Sequence, residues 1–305
     1  MSEQGRPRLT VVDAPSNLGL RPSRPGKEPG VRRLAEALRA NGLVERLQAR
    51  DGGRVMPAAY SFALDPAIGV RNWRGARDFA LDLAGHLRPL LDRGLVPIVL
   101  GGDCSILLGP MLAPRERGTY GLVFIDGHDD LLVPKTSQTG GAAGMDLALL
   151  LGHGPTALGN LGGAGPLAQP ENVAMLGMRN EWSAGPVMAD LVANRIGLAR
   201  SLAQLRQGGA SAATAQALAV VANRNLNGFW IHLDADVLDN ALMPAVDSPQ
   251  PGGLSYDELI AIVGRLVAAG GVAGMTVTID DPDLDPTGAI GAAFTDALVR
   301  ALGPA

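Results

Sequence analysis

Short apolar runs alternate with longer amphipathic segments along the chain. The apolar runs predict buried β-strands at residues 9–12, 96–100, 121–125, 173–176, 229–233 and 272–279. Apolar residues at helical spacing predict helices at residues 30–43, 79–91, 212–221, 256–269 and 291–302. Strands that alternate with helices are typical of a parallel sheet covered by helices on both faces. The pattern therefore predicts an α/β fold.

The chain shows no change of composition that would mark a domain boundary. A single α/β domain often exceeds about 200 residues, so the length of 305 residues fits one domain. We therefore predict one domain spanning residues 1–305, in which the Gly- and Pro-rich segment 159–170 forms a surface loop.

The amino-acid composition excludes several classes of protein and several kinds of metal site. Hydrophobic residues make up 47% of the chain and charged residues 18%, which is typical of a globular protein and not of a disordered one. The single cysteine excludes an internal disulfide framework and a Cys-rich zinc module. Because there are only four histidines, any metal site must depend on carboxylates. The net charge of −4 gives no basic surface for nucleic acid.

The hydropathy of the chain also predicts the cellular location of the protein. No apolar run approaches the roughly 20 residues that a membrane helix needs. The N-terminal segment is polar and lacks the apolar stretch of a secretory signal. We therefore expect a soluble, cytoplasmic protein with no membrane partner.

Acidic residues gather directly after three of the predicted strands, in the segments 101–105, 126–130 and 234–236. A lone aspartate at such a place is commonly a helix cap or a turn former. Six acids at one edge of a sheet would repel one another, however, unless a cation lay among them. The joint pattern favours a divalent metal over separate caps and turns.

The spacing of these acids is consistent with metal binding. Asp126, His128 and Asp130 share a face of an extended segment, and Asp234 and Asp236 share a face in the same way. Oxygen-rich ligands with an imidazole suit Mn²⁺ or another hard divalent ion better than a thiolate-bound zinc. Two such ions close together would deprotonate a bridging water near neutral pH, so the predicted chemistry is metal-assisted hydrolysis.

The motifs resemble those of the ureohydrolase family of arginases, agmatinases and formiminoglutamases. They stand here as Gly101-Gly-Asp-Cys-Ser105, Asp126-Gly-His-Asp-Asp130, Asp234-Ala-Asp-Val-Leu-Asp239 and Pro251-Gly-Gly-Leu-Ser255. The resemblance runs from about residue 30 to the C-terminus. It implies a three-layer α/β/α fold around an eight-stranded, mostly parallel sheet. It also implies a homo-oligomer, often a trimer or a hexamer.

The resemblance further implies a site for two Mn²⁺ ions. The first ion would be held by Cys104, Asp126, Asp130 and Asp234. The second ion would be held by Asp126, His128, Asp234 and Asp236, so that Asp126 and Asp234 bridge the two. Cys104 stands where the family has histidine, and a soft thiolate suits hard Mn²⁺ poorly. The first position is then weaker, vacant or altered in its metal preference, or Cys104 is a small buried residue at a helix start.

Three further positions depart from the family pattern. Ala143 stands where the family has a proton-shuttling histidine, and Ile279 stands where it has a substrate-facing glutamate. Asp280 or Asp281 could replace that glutamate, although a shift of one residue in a strand turns a side chain to the opposite face. Arginases hold the amino group of arginine with acids that follow a Gly-x-Arg segment. The matching stretch here is Gly177-Met-Arg-Asn-Glu-Trp182, in which Glu181 is the only acid. L-Arginine is therefore a doubtful substrate.

Two residues are candidates for the missing acid or base. His232 precedes Asp234 by two positions, where the family usually has a small residue. It is either a replacement acid, base or hydrogen-bond donor, or a histidine packed inside the sheet. Asp130, an acid of the substrate or water could also protonate the leaving group.

These observations give two hypotheses of function. The first is a hydrolase of guanidino, amidino or N-hydroxyguanidino C–N bonds, in which a metal-bound hydroxide is the nucleophile and urea or a urea-like product leaves. The alternative is a catalytically weak metal-binding relative with a scaffolding or regulatory role.

Overall fold

A sheet of eight parallel strands runs through the computed structural model, which describes residues 8–163, 165–179 and 185–303. The strand order is β2-β1-β3-β8-β7-β4-β5-β6. The strands are β1 (Arg8–Asp13), β2 (Arg50–Arg54), β3 (Leu95–Leu100), β4 (Gly121–Ile125), β5 (Val173–Leu176), β6 (Leu198–Arg200), β7 (Phe229–Asp234) and β8 (Val272–Thr278).

Helices of very different length connect these strands. They are α1 (Leu34–Ala40), α2 (Leu43–Arg46), α3 (Trp73–Asp92), α4 (Leu108–Leu112), α5 (Asp146–Leu150), α6 (Thr156–Gly159), α7 (Pro186–Asn194), α8 (Leu202–Gly208), α9 (Ala210–Val221), α10 (Tyr256–Ala268) and α11 (Ala289–Leu302). The long α10 begins with a capping box, because Ser255 and Glu258 satisfy each other's backbone N–H groups.

Side chains of the central strands alternate between two hydrophobic cores, one on each face of the sheet. Val123 and Ile125 of β4 pack in the core that contains residues of α1, α9, α10 and α11. Leu122 and Phe124 of the same strand pack in the core that contains residues of α3, α4 and α5. Both faces of the sheet are therefore covered, as the period-two alternation of a strand requires. The expected three-layer α/β/α fold is confirmed.

All six predicted strands are present, with ends within one residue of the predicted ones. The two strands that the pattern did not predict are β2 and β6, which form the edges of the sheet. β2 has the sequence RDGGR and is largely exposed, and β6 has three residues, so neither produces a run of buried apolar positions. Edge strands are often short and polar for this reason.

The predicted helix at residues 30–43 is interrupted. Residues 30–33 form a 3-10 turn before α1, and Gly42 separates α1 from α2 with a φ of 78°. The left-handed backbone at Gly42 ends the regular helix, which glycine tolerates because it has no Cβ. The predicted loop at 159–170 is irregular, but Leu167 and Ala168 within it are buried. In the described part of the chain, no helix is both long and apolar enough to cross a membrane.

Candidate metal centre

The strands that carry the three motifs lie next to one another in the middle of the sheet. β7 pairs with β4 on one side and with β8 on the other, and β8 pairs with β3. Cys104 follows β3, His128 follows β4, and Asp234 ends β7. Because the strands are parallel, their carboxyl ends open at the same edge of the sheet, where α/β proteins bind ligands. The motif residues come together there.

One group of donors joins the loops after β4 and β7. Asp126, His128 and Asp236 each place a ligand atom within 4.8 Å of the others. Nδ1 of His128 lies 2.8 Å from Oδ2 of Asp236 and 3.7 Å from Oδ1 of Asp126. The backbone N–H of His128 also donates to Oδ1 of Asp126 across 2.6 Å. These three residues are three of the four predicted for the second metal position, and the fourth, Asp234, is not in the group.

A second group shares Asp126 with the first. Cys104, Asp126 and His232 place their ligand atoms within 4.8 Å of one another, and all three residues are buried. His232 lies fully inside the sheet layer, stacked on Phe124 with a centroid distance of 4.9 Å. Its Nδ1 lies 2.9 Å from the hydroxyl of Thr276. His232 is therefore both packed inside the sheet and close to the metal-binding residues.

Asp234 and Asp130 are buried at the same edge but lie outside the two groups. Asp234 accepts a hydrogen bond from the thiol of Cys104 at Oδ2 and one from the backbone N–H of Asp236 at Oδ1. Asp130 has a φ of 44°, in the left-handed region that non-glycine residues rarely adopt. Such strain is concentrated at functional sites, because the surrounding structure must stabilise it.

Burial and mutual repulsion dominate the electrostatics of the carboxylates. Burial, then the charge of Asp236, raises the pKa of Asp126 to about 6. Burial and Asp126 raise the pKa of Asp130 well above its usual range, and burial and Asp236 do the same for the pKa of Asp234. Burial alone would lower the pKa of His128, but Asp236 and Asp126 raise it to about 12. The centre therefore favours an added positive charge.

The donor set fits divalent cations. Within the described ranges, Oδ2 of Asp126 and Nε2 of His232 are buried atoms without a hydrogen-bond partner. Unpaired buried polar atoms are costly, and binding a cation is one way to satisfy them. The group of Asp126, His128 and Asp236 offers oxygen and imidazole donors, which suit Mn²⁺ and similar ions.

The predicted stand-ins for the family glutamate have different surroundings. Ile279 has a φ of 74°, which redirects the chain after β8. Asp281 accepts from the backbone N–H of Gly30 across 3.1 Å, and its side chain also caps the short turn at residues 282–284. In the described residues, both carboxylate oxygens of Asp280 are buried without a hydrogen-bond partner, and Asp280 lies near Asp285 before α11. Neither aspartate belongs to the groups around Asp126, and the replacement of the glutamate by one of them stays a prediction.

The structure adds residues that sequence reasoning missed. Asp146, three positions after Ala143, is fully buried, and its Oδ2 lies 4.0 Å from Nε2 of His232. Gln250 places its side-chain amide 2.8 Å from Nε2 of His128. Neither residue is part of a metal motif, and only the run of apolar residues after Asp146 marks that segment as buried.

Arg179 holds the loop after β7 in place. Its guanidinium donates to the carbonyl oxygens of Leu238, at 3.2 Å, and of Gly252, at 2.9 Å, and lies 3.8 Å from Oδ1 of Asp236. Arg179 belongs to the segment 177–182, which the resemblance to arginases predicts to lie near the substrate. Glu181, the acid expected there, lies outside the described residues.

Comparison with known proteins gives one consistent family. A family model described as Arginase family matches residues 8–303. The arginase of Bacillus caldovelox is 28% identical over 257 residues, which cover 82% of this chain and 83% of that protein. The arginase of Bacillus subtilis strain 168 is 27% identical over 311 residues, which cover 97% of each chain.

A solved structure extends the likeness to three dimensions. The native structure of Bacillus caldovelox arginase superposes with a TM-score of 0.87 at 25% identity, covering 98% of this chain and 99% of that one. The sequence and the fold of this chain therefore indicate the same family. The comparisons confirm the prediction of the ureohydrolase family. They also confirm the prediction of a hydrolase that acts on C–N bonds of linear amidines. The chain belongs to the arginase family.

Proposed function

We propose that this protein hydrolyses a guanidino or amidino C–N bond with two divalent ions, Mn²⁺ in the family's usual form, held at the carboxyl edge of the sheet. The observation that carries the proposal is the pair of donor groups that share Asp126. A shared carboxylate is the usual bridge of a two-metal site, since each of its oxygens can bind one ion.

The residues divide between the two positions. The second ion would be held by Asp126, His128 and Asp236, with Asp234 beside them. The first ion would be held by Cys104, Asp126, Asp130 and Asp234. Bound ions would supply Lewis acidity, which lowers the pKa of an attacking water toward neutral pH.

The protein's own residues must then move the proton to the leaving nitrogen. Ala143, at the position of the family's shuttle histidine, is buried and carries no titratable group. Asp130 is the first candidate to replace it, because burial and Asp126 raise its pKa well above the usual range and favour its protonated form. His232 is the second candidate. Burial lowers its pKa to about 3, so it is neutral near pH 7, and it would act by accepting a proton from the attacking water and passing that proton on to the leaving nitrogen.

The lack of the family's proton-shuttling histidine affects which substrates the centre can hydrolyse. A leaving nitrogen of low basicity needs less protonation, so an N-hydroxyguanidine suits this centre better than the guanidinium of L-arginine. Urea or a hydroxylated urea would be the second product. The substrate is therefore a small guanidino or amidino compound. We propose further that the protein is cytoplasmic and assembles into a trimer or a hexamer, which sedimentation analysis would measure.

The catalytically weak relative remains the second candidate function. Ala143 and Cys104 favour it, because one removes the proton shuttle and the other places a neutral, buried thiol at a metal position. A metal centre that lacks the proton shuttle and has a neutral thiol at one metal position would bind metal but hydrolyse substrate slowly.

One assay separates the two candidates. Urea and amine release is measured from a panel of guanidino, amidino and N-hydroxyguanidino compounds, with Mn²⁺, Zn²⁺, Ni²⁺ or Fe²⁺ added. We expect turnover with at least one pairing, and loss of both turnover and bound metal in Asp126→Ala and Asp234→Ala. Asp257→Ala, an exposed residue that pairs with Arg300, is the control. Release from no compound favours the weak relative, and unchanged metal content in both variants overturns the metal site itself.

A further inference from the structure

The imidazole of His232 lies among candidate metal donors, in a place where no ligand motif puts a histidine. The side chain is fully buried, and in the described ranges its Nε2 has no hydrogen-bond partner. His232 contributes one ring nitrogen to the group formed with Cys104 and Asp126, whose ligand atoms lie within 4.8 Å of one another. Ligands of one ion, bound at 2.0–2.3 Å, lie roughly 3 to 4.5 Å apart. Small side-chain shifts therefore bring all three onto one ion.

The hydrogen bonds around the ring determine which nitrogen is free to bind. The hydroxyl of Thr276 lies 3.5 Å from the carbonyl oxygen of Ile231, to which it can donate its proton. The same hydroxyl oxygen lies 2.9 Å from Nδ1 of His232, and we assign it as the acceptor of an Nδ1–H. In this tautomer Nε2 carries the lone pair that can bind a cation. Metal-binding histidines are commonly oriented by such a hydrogen bond from the other ring nitrogen.

Register explains how β7 can supply this donor. His232 and Asp234 are two positions apart in β7, so both side chains leave the same face of the sheet. Cys104 approaches from β3, on the far side of β8, and its thiol reaches Asp234. The imidazole that the family places at position 104 is thus absent, and an imidazole stands instead on β7, one strand beyond β8 in the same sheet.

We propose that His232 is a ligand of the first metal ion and replaces the histidine lost at position 104. The inference rests on the proposed metal-dependent function and adds a ligand to it. With His232 added, the first position would take sulfur from Cys104, nitrogen from His232 and oxygen from the aspartates already assigned to it, Asp126, Asp130 and Asp234. On binding, the thiol gives up its proton to solvent.

The donor set predicts unequal metal preferences. Thiolate and imidazole favour Zn²⁺, Co²⁺ or Fe²⁺ over Mn²⁺. The second position, with Asp126, His128 and Asp236, keeps a harder set that accepts Mn²⁺. We therefore expect the ratio of Zn²⁺ affinity to Mn²⁺ affinity to be larger at the first position than at the second.

The test measures metal binding and not turnover. In His232→Asn, metal content and chelator competition should show one ion weakened by about tenfold to a hundredfold or more, with the other unchanged. His153→Asn, a half-buried histidine in the loop after α5, is the matched control and should bind both ions normally. The double variant Cys104→His/His232→Ser returns the imidazole to position 104 and should recover the lost affinity.

A measurement on the unaltered protein avoids any defect of folding in the variants. With ¹⁵N-labelled histidine, the Nε2 resonance of His232 should shift on addition of Zn²⁺, while that of His153 does not. An unmoved His232 resonance at full Zn²⁺ occupancy, or full affinity for both ions in His232→Asn, overturns the inference and leaves the proposed function standing. A protein that binds no divalent ion overturns both.

Discussion

The thiol of Cys104 donates a hydrogen bond to Oδ2 of Asp234 across 2.8 Å, and it lies 3.2 Å from the hydroxyl of Thr278. Cys104 is buried, and both burial and the charge of Asp234 raise its pKa well above the usual thiol value. The thiol of the metal-free protein is therefore neutral and protected.

This relationship predicts low reactivity toward alkylating reagents. Reaction needs the exposed thiolate, which the folded, metal-free protein does not provide. We expect iodoacetamide at pH 8 to label no thiol in the native protein and one thiol after unfolding in guanidinium chloride, as measured by intact-protein mass. Rapid labelling of the native protein would contradict the buried position of Cys104.

Gln250 is predicted to act on metal affinity through His128. Its amide lies 2.8 Å from Nε2 of His128, and turning the amide over presents its oxygen to an Nε2–H when Nδ1 binds an ion. Loss of such a supporting contact commonly costs tenfold to a hundredfold in affinity. We expect Gln250→Leu to weaken one ion by about tenfold in chelator competition. Gln169→Leu, an exposed position, should have no effect, and equal affinities in both variants would remove Gln250 from the site.

Asp280 predicts a pH-dependent stability. Burial, with Asp285 and Asp281 nearby, raises its pKa from 3.8 to about 7 in the folded protein. The folded state thus holds a proton that the unfolded state releases, so Asp280 reduces stability as pH rises from about 4 to about 7. Asp280→Asn removes this titration. The difference in unfolding free energy between the variant and the wild type should grow over that window by up to a few kcal/mol.

Thermal or denaturant unfolding at several pH values measures this difference. Asp257→Asn is the control, because Asp257 is exposed and its pairing with Arg300 is screened by solvent. A difference that does not change with pH would mean that Asp280 is ionised in the folded protein.

Gly102 allows the loop after β3 to pass against the loop after β1. A Cβ at Gly102 would lie 1.6 Å from the carbonyl oxygen of Ser16, so a side chain cannot be accommodated without moving the backbone. We expect Gly102→Ala to destabilise the protein by several kcal/mol and to lower its metal affinity, since Cys104 follows two residues later.

Gly85 in α3 provides the matched comparison. A Cβ there would contact nothing within 4 Å, and alanine is the better helix former by about 1 kcal/mol. Gly85→Ala should raise the midpoint of thermal unfolding slightly. Similar midpoints for the two variants would contradict the close approach at Gly102.

The buried middle of the sheet could be predicted from the sequence, whereas its edges could not. β4 and β7 are apolar at nearly every position because helices cover both of their faces. β2 is exposed, and β6 is short and only partly buried, so they leave no comparable pattern. Their strand conformation depends on pairing with β1 and β5, which lie far from them in sequence.

The residues of the candidate site also divide into those that the sequence could predict and those that it could not. The aspartates at strand ends could be found from the sequence, because they are close together along the chain and follow apolar runs. The place of His232 beside Cys104 and Asp126 depends on three strands that meet only in the folded sheet. The turn at Ile279, which carries Asp280 away toward α11, depends on a local backbone angle that residue type does not reveal.

The sequence by itself determined the α/β class, the family and the aspartates that gather at the carboxyl edge of the sheet, because local apolar periodicity and motif spacing carry that information. The tertiary structure alone decided which candidate donors lie within 4.8 Å of one another, since distances between β3, β4 and β7 arise from pairing across the sheet. For that reason the cysteine at position 104 and the histidine at position 232 look unrelated along the chain and lie together in the folded protein.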